Sequence, residues 1–340
     1  MLRKKSFFIL AAMMLVLSVF ISACGGNSNG NHSASSSGDK QEPASTGEKN
    51  ADTTDGQMRS FKTVKGEIQI PAKPQRIVTD FYGGELLSVG ANVVGVEPTA
   101  FQNPFITDLL KEKGTKEVGD PTNLEKTLEL KPDLIVVMKD TNYEALSKIA
   151  PTLYIPYGTT TNIYDTVKLF GDITGEKEKA AQFIAAFDKK AAEGRARLKG
   201  VIDEKATFGL YELTDKNALW IFGDNAGRGG QAVYNALKLN MPKKTVNSKE
   251  QTVQLSLEVL LQYDADYMFL TTYDPEKKGD ALKQLKSSAV WGNLPAVKNN
   301  RVFFNDFDTY YRYDPIAING QIDMIVDMLI EREKENTAKK

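Results

Sequence analysis

The feature that most constrains the fold is a long proline-free stretch, residues 176–201, near the middle of the foldable part of the chain. Ala180, Phe183, Ile184, Phe187 and Ala191 fall on one stripe, with Lys, Glu and Arg on the other side. That is the pattern of one amphipathic helix, and at about 1.5 Å per residue it is long enough to cross a domain. Short β-rich runs alternate with helical stretches on both sides of it. The strand-like runs are 76–79, 133–138 and 153–155 before it, then 208–213, 219–222, 267–271 and 302–304 after it. Helix-like stretches fall at 124–130, 143–149, 232–237 and 257–263, and a last helix starts near Ile316. Such alternation predicts an α/β architecture with mostly parallel sheets.

The two halves echo each other. Leu124-Glu125-Lys-Thr-Leu128 leads to Asp133 and an apolar run, and Leu257-Glu258-Val-Leu-Leu261 leads to Asp266 and another. In both, Glu precedes Asp by eight residues. Repetition of a unit is a fold-level signal, and the simplest reading is two similar lobes, 60–175 and 202–335, joined by the helix 176–201.

Composition narrows the function through its scarcest residues. The chain of 340 residues holds one Cys and one His, which excludes internal disulfides, Cys-clustered metal sites and multi-histidine centres. Its formal net charge of −1 gives no reason to expect nucleic acid. Arg3, Lys4 and Lys5 precede an apolar run from Phe7 to Ile21 that closes on Ile21-Ser-Ala-Cys24. This reads as a secretory signal over residues 1–23, and its end resembles a bacterial lipobox, which would make Cys24 the lipidated first residue. Residues 24–59 contain no aromatic, Val, Ile or Leu, so they are expected to form an unfolded tether, and His32 lies inside it. Gly26-Asn-Ser-Asn-Gly30 matches a hydrolase elbow in spelling but lacks the strand–turn–helix that motif needs.

Taken together, the lipobox, the tether, Pro74-Gln-Arg-Ile-Val78, Val93-Val-Gly-Val-Glu97, Leu130-Lys-Pro-Asp-Leu-Ile-Val-Val137 and the paired glutamates resemble the substrate-binding lipoproteins of iron–siderophore ABC importers. The resemblance covers roughly residues 60–330 and implies two Rossmann-like lobes bridged by one long helix, the class III binding-protein fold, with ligand held between them. Residues 221–230, Ile-Phe-Gly-Asp-Asn-Ala-Gly-Arg-Gly-Gly, resemble the ferric hydroxamate binders in particular. A hydroxamate already fills the oxygen sphere of Fe(III), so the implied protein ligates no metal, needs no cofactor and is not an enzyme.

For ligand contact the resemblance points first to Arg228, whose fixed donors suit iron-bound oxygens, with Gly227, Gly229 and Gly230 allowing close backbone approach. Trp220, Tyr310, Tyr311, Arg312, Tyr82, Tyr211 and Trp291 are the further candidates, ordinary core packing being the alternative for the aromatics. Glu125 and Glu258 are the implied permease-docking carboxylates. Against docking stand a Thr122–Glu125 capping box and, at Glu258, complementation of the helix dipole. The implied partners are an Fe(III)-siderophore, permease subunits and the membrane through a lipid anchor, with the protein a monomer on the extracytoplasmic face. Catecholate, citrate-type and corrinoid ligands on the same fold remain alternatives, as does, further off, a lipid-anchored α/β hydrolase.

Overall fold

The computed structural model describes residues 56–245 and 250–339. The expected signal segment, Cys24, His32 and the tether up to residue 55 lie outside them. The expectation of a tether through Arg59 is corrected at its end, because strand β1 (Met58–Thr63) already pairs antiparallel with β2 (Gly66–Pro71). Its period is faint: only Phe61 and Ile70 of the hairpin are buried, so it does not stand out from the polar residues before it. The Arg59 guanidinium ties it to the carbonyls of Asp172 and Ile173 at a helix C-terminus, where a cation meets the negative end of the helix.

The N-terminal lobe is built on a parallel sheet. Strands β3 (Ile77–Thr79), β4 (Val93–Val96), β5 (Lys116–Glu117), β6 (Leu134–Val137) and β7 (Thr152–Tyr154) lie in the order β5-β4-β3-β6-β7. Every residue of β3 and β6 is buried, as expected when helices cover both faces of a parallel sheet. The C-terminal lobe carries β8 (Phe208–Thr214), β9 (Leu219–Phe222), β10 (Thr252–Leu255), β11 (Tyr267–Tyr273) and β12 (Val302–Asp306) in the order β10-β9-β8-β11-β12. Here β8, β11 and β12 run parallel and β9 is antiparallel to both neighbours. A hairpin thus replaces one crossover of the other lobe.

The internal echo has a structural meaning. Asp133 accepts the backbone N–H groups of Gln75 and Arg76, at 2.6 and 2.8 Å, just ahead of β3. Asp266 accepts the N–H and hydroxyl of Thr207, both at 2.8 Å, just ahead of β8. In each lobe an aspartate entering one strand ties down the start of its parallel neighbour. The element before it differs, an α-helix at Leu124–Glu129 but a 3-10 helix at Leu257–Tyr263.

The bridging helix runs Lys177–Leu198, somewhat shorter than its sequence pattern, because Lys199 turns extended and Gly200 takes φ 77°. Ala180, Phe187, Ala191 and Leu198 face the core. Gly194 marks the closest approach: a Cβ there would lie 2.8 Å from Leu237, 3.2 Å from Val326 and 3.3 Å from Ile322. The last two belong to the C-terminal helix Pro315–Ala338, which packs along the bridge. Its start reaches the other lobe, where the Asn103 amide donates to its N-cap Asp314 at 2.9 Å. The lobes are therefore held by the bridging helix and by this returning contact.

Candidate functional site: a cleft between the lobes

A cleft of about 630 Å³ lies between the lobes, within the size range of small-molecule sites. One side comes from the N-terminal lobe, with Tyr82, Tyr157 and the threonines 159–161 that follow β7. This is the carboxyl end of a strand, where open α/β sheets place their ligands. The opposite side comes from the C-terminal lobe, with Phe222, Asn225, Arg228 and Tyr311. Gln231 closes the seam between them: its Oε1 accepts the N–H of Ile163 at 2.7 Å, across the lobes.

Arg228 sits on a backbone that only its neighbours make feasible. Gly227, Arg228 and Gly229 take φ values of 76°, 55° and 87°, three left-handed residues in succession. For arginine this conformation costs of order 1–3 kcal/mol unless the surroundings hold it. They do: Nε donates to Glu212 Oε2 at 2.6 Å, and Nη2 lies 2.5 Å from the same oxygen. Aromatic rings surround the guanidinium, with Phe222 4.5 Å, Tyr311 4.8 Å and Phe307 5.6 Å from its carbon to the ring centroids. After Gly230 the chain enters a π-helix, Gln231–Ala236, in place of the expected ordinary turn of helix.

A second group of polar residues lies behind the cleft. Glu85 lines both the cleft and a small adjoining pocket shared with Glu97 and Asp314. Burial raises all three carboxyls, with Glu97 pushed up to about 7, and at Glu85 the Asp314 and Glu97 carboxylates add to the effect. Burial likewise raises the hydroxyls of Tyr82 and Tyr313, so these two stay protonated at ordinary pH.

Of the candidate contacts, Arg228, Tyr82 and Tyr311 line the cleft. Tyr82 is anchored by its hydroxyl to the Ile155 carbonyl at 2.5 Å, beside Phe170. The others lie elsewhere. Trp220 pairs across the sheet with Glu212, so it flanks the residue that holds Arg228 and does not wall the cleft. Tyr310 is buried in the core, its hydroxyl 3.8 Å from Met328 Sδ. Arg312 lines the small pocket and donates to the carbonyls of Asp308 and Thr99. Tyr211 is buried on β8, bonded to the Tyr263 carbonyl, and Trp291 is core beneath β12, stacked on Phe304. Tyr211 faces away from Glu212 because alternate strand residues point to opposite faces, whereas Tyr310 and Trp291 lie on short helices packed into the core.

The sequence reading missed Phe222, Tyr157, Gln231 and Glu212. The last carried a signal, being the one charged residue in the otherwise apolar run of β8. Among the described residues no cluster of His, Cys, Asp or Glu could hold a metal ion.

The paired glutamates are both exposed. Glu125 lies in the first turn of helix Leu124–Glu129, but the cap is Asn123, whose side chain accepts the Lys126 N–H at 3.0 Å. The expected Thr122–Glu125 box does not form, since Thr122 is buried one residue too early. Glu258 is held below the usual carboxylate range by the Ser256 hydroxyl. Each glutamate is followed three residues on by an exposed leucine, Leu128 and Leu261.

Comparison with known proteins agrees with this geometry. Residues 85–309 match the family described as "Periplasmic binding protein". Across 335 residues the chain is 51% identical to the iron(3+)-hydroxamate-binding protein YxeB of Bacillus subtilis, covering 98% of this chain and 99% of that one. It is 33% identical to the iron(3+)-hydroxamate-binding protein FhuD of the same organism over 327 residues, 94% and 96% of the two chains. Among solved structures, Staphylococcus aureus FhuD2 with bound ferrioxamine B superposes with a TM-score of 0.68 at 28% identity, covering 76% of this chain and all of that one. With a family match over residues 85–309 and relatives of this identity along nearly its whole length, the chain belongs to the periplasmic binding protein family.

Proposed function

We propose that this chain is the solute-binding component of an ABC importer and carries an Fe(III)-siderophore of the hydroxamate type. The observation that carries this reading is the cleft itself: an open, ring-walled space with one arginine already held in place and the hydroxyls of Tyr157 and threonines 159–161 opposite. Such a site suits a compact chelate whose oxygens accept hydrogen bonds and whose carbon skeleton packs on aromatic faces. The names of the relatives YxeB and FhuD support the same ligand class. Iron is cargo here, wrapped by its chelator and not ligated by the protein.

In this reading Arg228, Tyr82 and Tyr311 meet the chelate, Glu125 and Glu258 dock on permease subunits, and Cys24 carries a lipid that keeps the protein on the extracytoplasmic face of the membrane. The matched exposure of the two glutamates, one in each lobe, supports the docking role. Titrating the purified protein with ferric hydroxamates, catecholates and citrate while following tryptophan fluorescence tests the ligand. Saturable quenching by a hydroxamate is expected. No response to any hydroxamate would end the specific assignment, and none to any chelate the general one. Cys24→Ser tests the anchor, with the protein expected to leave the membrane fraction.

A further inference from the structure

We infer that Glu212 sets the charge preference of the cleft, cancelling the Arg228 cation so that the site takes neutral ferric chelates and rejects polyanionic ones. The inference rests on the siderophore reading and deepens it. Among the described residues that line the cleft, Glu85 and Arg228 alone are of a type that can carry charge below the tyrosine range. Glu85 is buried beside two further carboxylates, Glu97 and Asp314, and burial pushes its carboxyl well above the usual range, which favours the uncharged form. The net charge facing a ligand is then decided at Arg228.

That arginine is not a free cation. Its side chain and that of Glu212 are only 13% and 8% exposed, and two of its nitrogens share one carboxylate oxygen. Glu212 sits on the central strand β8, flanked in register by Trp220 and Thr271, neither of which can carry charge in its place. A largely buried pair of this kind is a dipole to anything more than a few ångströms away. The guanidinium keeps Nη1 for hydrogen bonding to a ligand oxygen, so it supplies direction without net attraction. Fe(III) bound by three singly charged hydroxamates is neutral and fits this field. Bound by three doubly charged catecholates it is a trianion, which would have to leave water for a site with no compensating charge.

The experiment compares the affinity of a neutral ferric trihydroxamate with that of a ferric tricatecholate, in wild type and in Glu212→Gln. The glutamine keeps the size of the side chain and an acceptor for Arg228 but removes the charge. The ratio of the two affinities is expected to shift towards the trianion by at least ~10-fold, and to return towards the wild-type value in the double variant Arg228→Gln with Glu212→Gln. An unchanged ratio in a Glu212→Gln protein that still binds the neutral chelate would overturn the proposal. Should that variant not fold, the wild type decides: the trianion should compete poorly with bound neutral chelate at both low and high salt. Strong competition at low salt that vanishes at high salt would show an uncancelled cation and sink the idea. A wild type that binds no ferric chelate at all removes the siderophore reading itself, an outcome distinct from an unchanged ratio.

Discussion

The two lobes share a plan but divide the labour at the cleft unequally. Each has a five-stranded sheet, an aspartate that ties one strand to the start of its neighbour, and an exposed glutamate ahead of that aspartate. Yet the C-terminal lobe supplies the paired arginine and its ring of aromatics, whereas the N-terminal lobe supplies hydroxyls and the loop after β7. The difference follows from the β8–β9 hairpin. It brings an antiparallel strand next to β8, so that Glu212 on one strand and the loop leaving the other can meet. The all-parallel lobe has no such return. Equivalent scaffolds can therefore carry one site that is polarised and one surface that is symmetric.

Variants can break that comparison at several scales. The largest effect is expected at the symmetric surface: Glu125→Ala combined with Glu258→Ala should abolish iron uptake by cells while leaving the affinity of the purified protein for its chelate unchanged. Each single variant should retain part of the uptake, and a full loss from one alone would show that the lobes dock unequally. Next comes the polarised site, where Arg228→Ala should weaken chelate binding by at least ~10-fold through loss of a charge-assisted hydrogen bond, read by fluorescence titration. On the opposite wall Tyr157→Ala, removing an exposed ring, should weaken it only about 2–5-fold. Equal losses from the two would erase the asymmetry.

Smaller effects test the seam. Gln231→Ala leaves the Ile163 N–H unpaired and should cost about 1–3 kcal/mol of stability, measured by denaturant unfolding. The Glu97 carboxyl, pushed up to about 7 by burial, lies above its ordinary value of 4.5. Its protonated form therefore supports the fold fully below pH 4.5, and that contribution fades as the pH rises through 7. Glu97→Gln should melt close to wild type at pH 5 and a few degrees higher at pH 8.5, with the gap opening across that window. A gap of the same size at both pH values would contradict the assignment.

Much of this fold was legible because its strongest signals are local. Continuous apolar runs gave β6, β9 and β11, and the uninterrupted stripe from Ala180 to Ala191 gave the bridge. The hairpin β1–β2 was hidden by its half-exposed, polar residues, and β5 by being two residues long. At the site, Arg228 is legible through the glycine-flanked segment 221–230 and its resemblance to the hydroxamate binders. Glu212, Phe222 and Gln231 are not, since their roles arise only when strand register or the other lobe brings a partner near. Trp220 shows the same limit in reverse: two residues before the cleft-lining Phe222 on β9, it lies opposite Glu212 and away from the cleft.

The bond between Gln231 and Ile163 carries one more consequence. The helix Ile163–Thr174 receives part of its N-terminal satisfaction from the opposite lobe, and Asp314, which caps the C-terminal helix, is itself engaged by Asn103 of the first lobe. Each half thus finishes a secondary-structure end that belongs to the other. Cutting the chain within the bridge would yield two fragments with exposed, incomplete helix starts, not two modules ready for reuse. The halves share a plan, but each lends the other a hydrogen bond at the start of a helix.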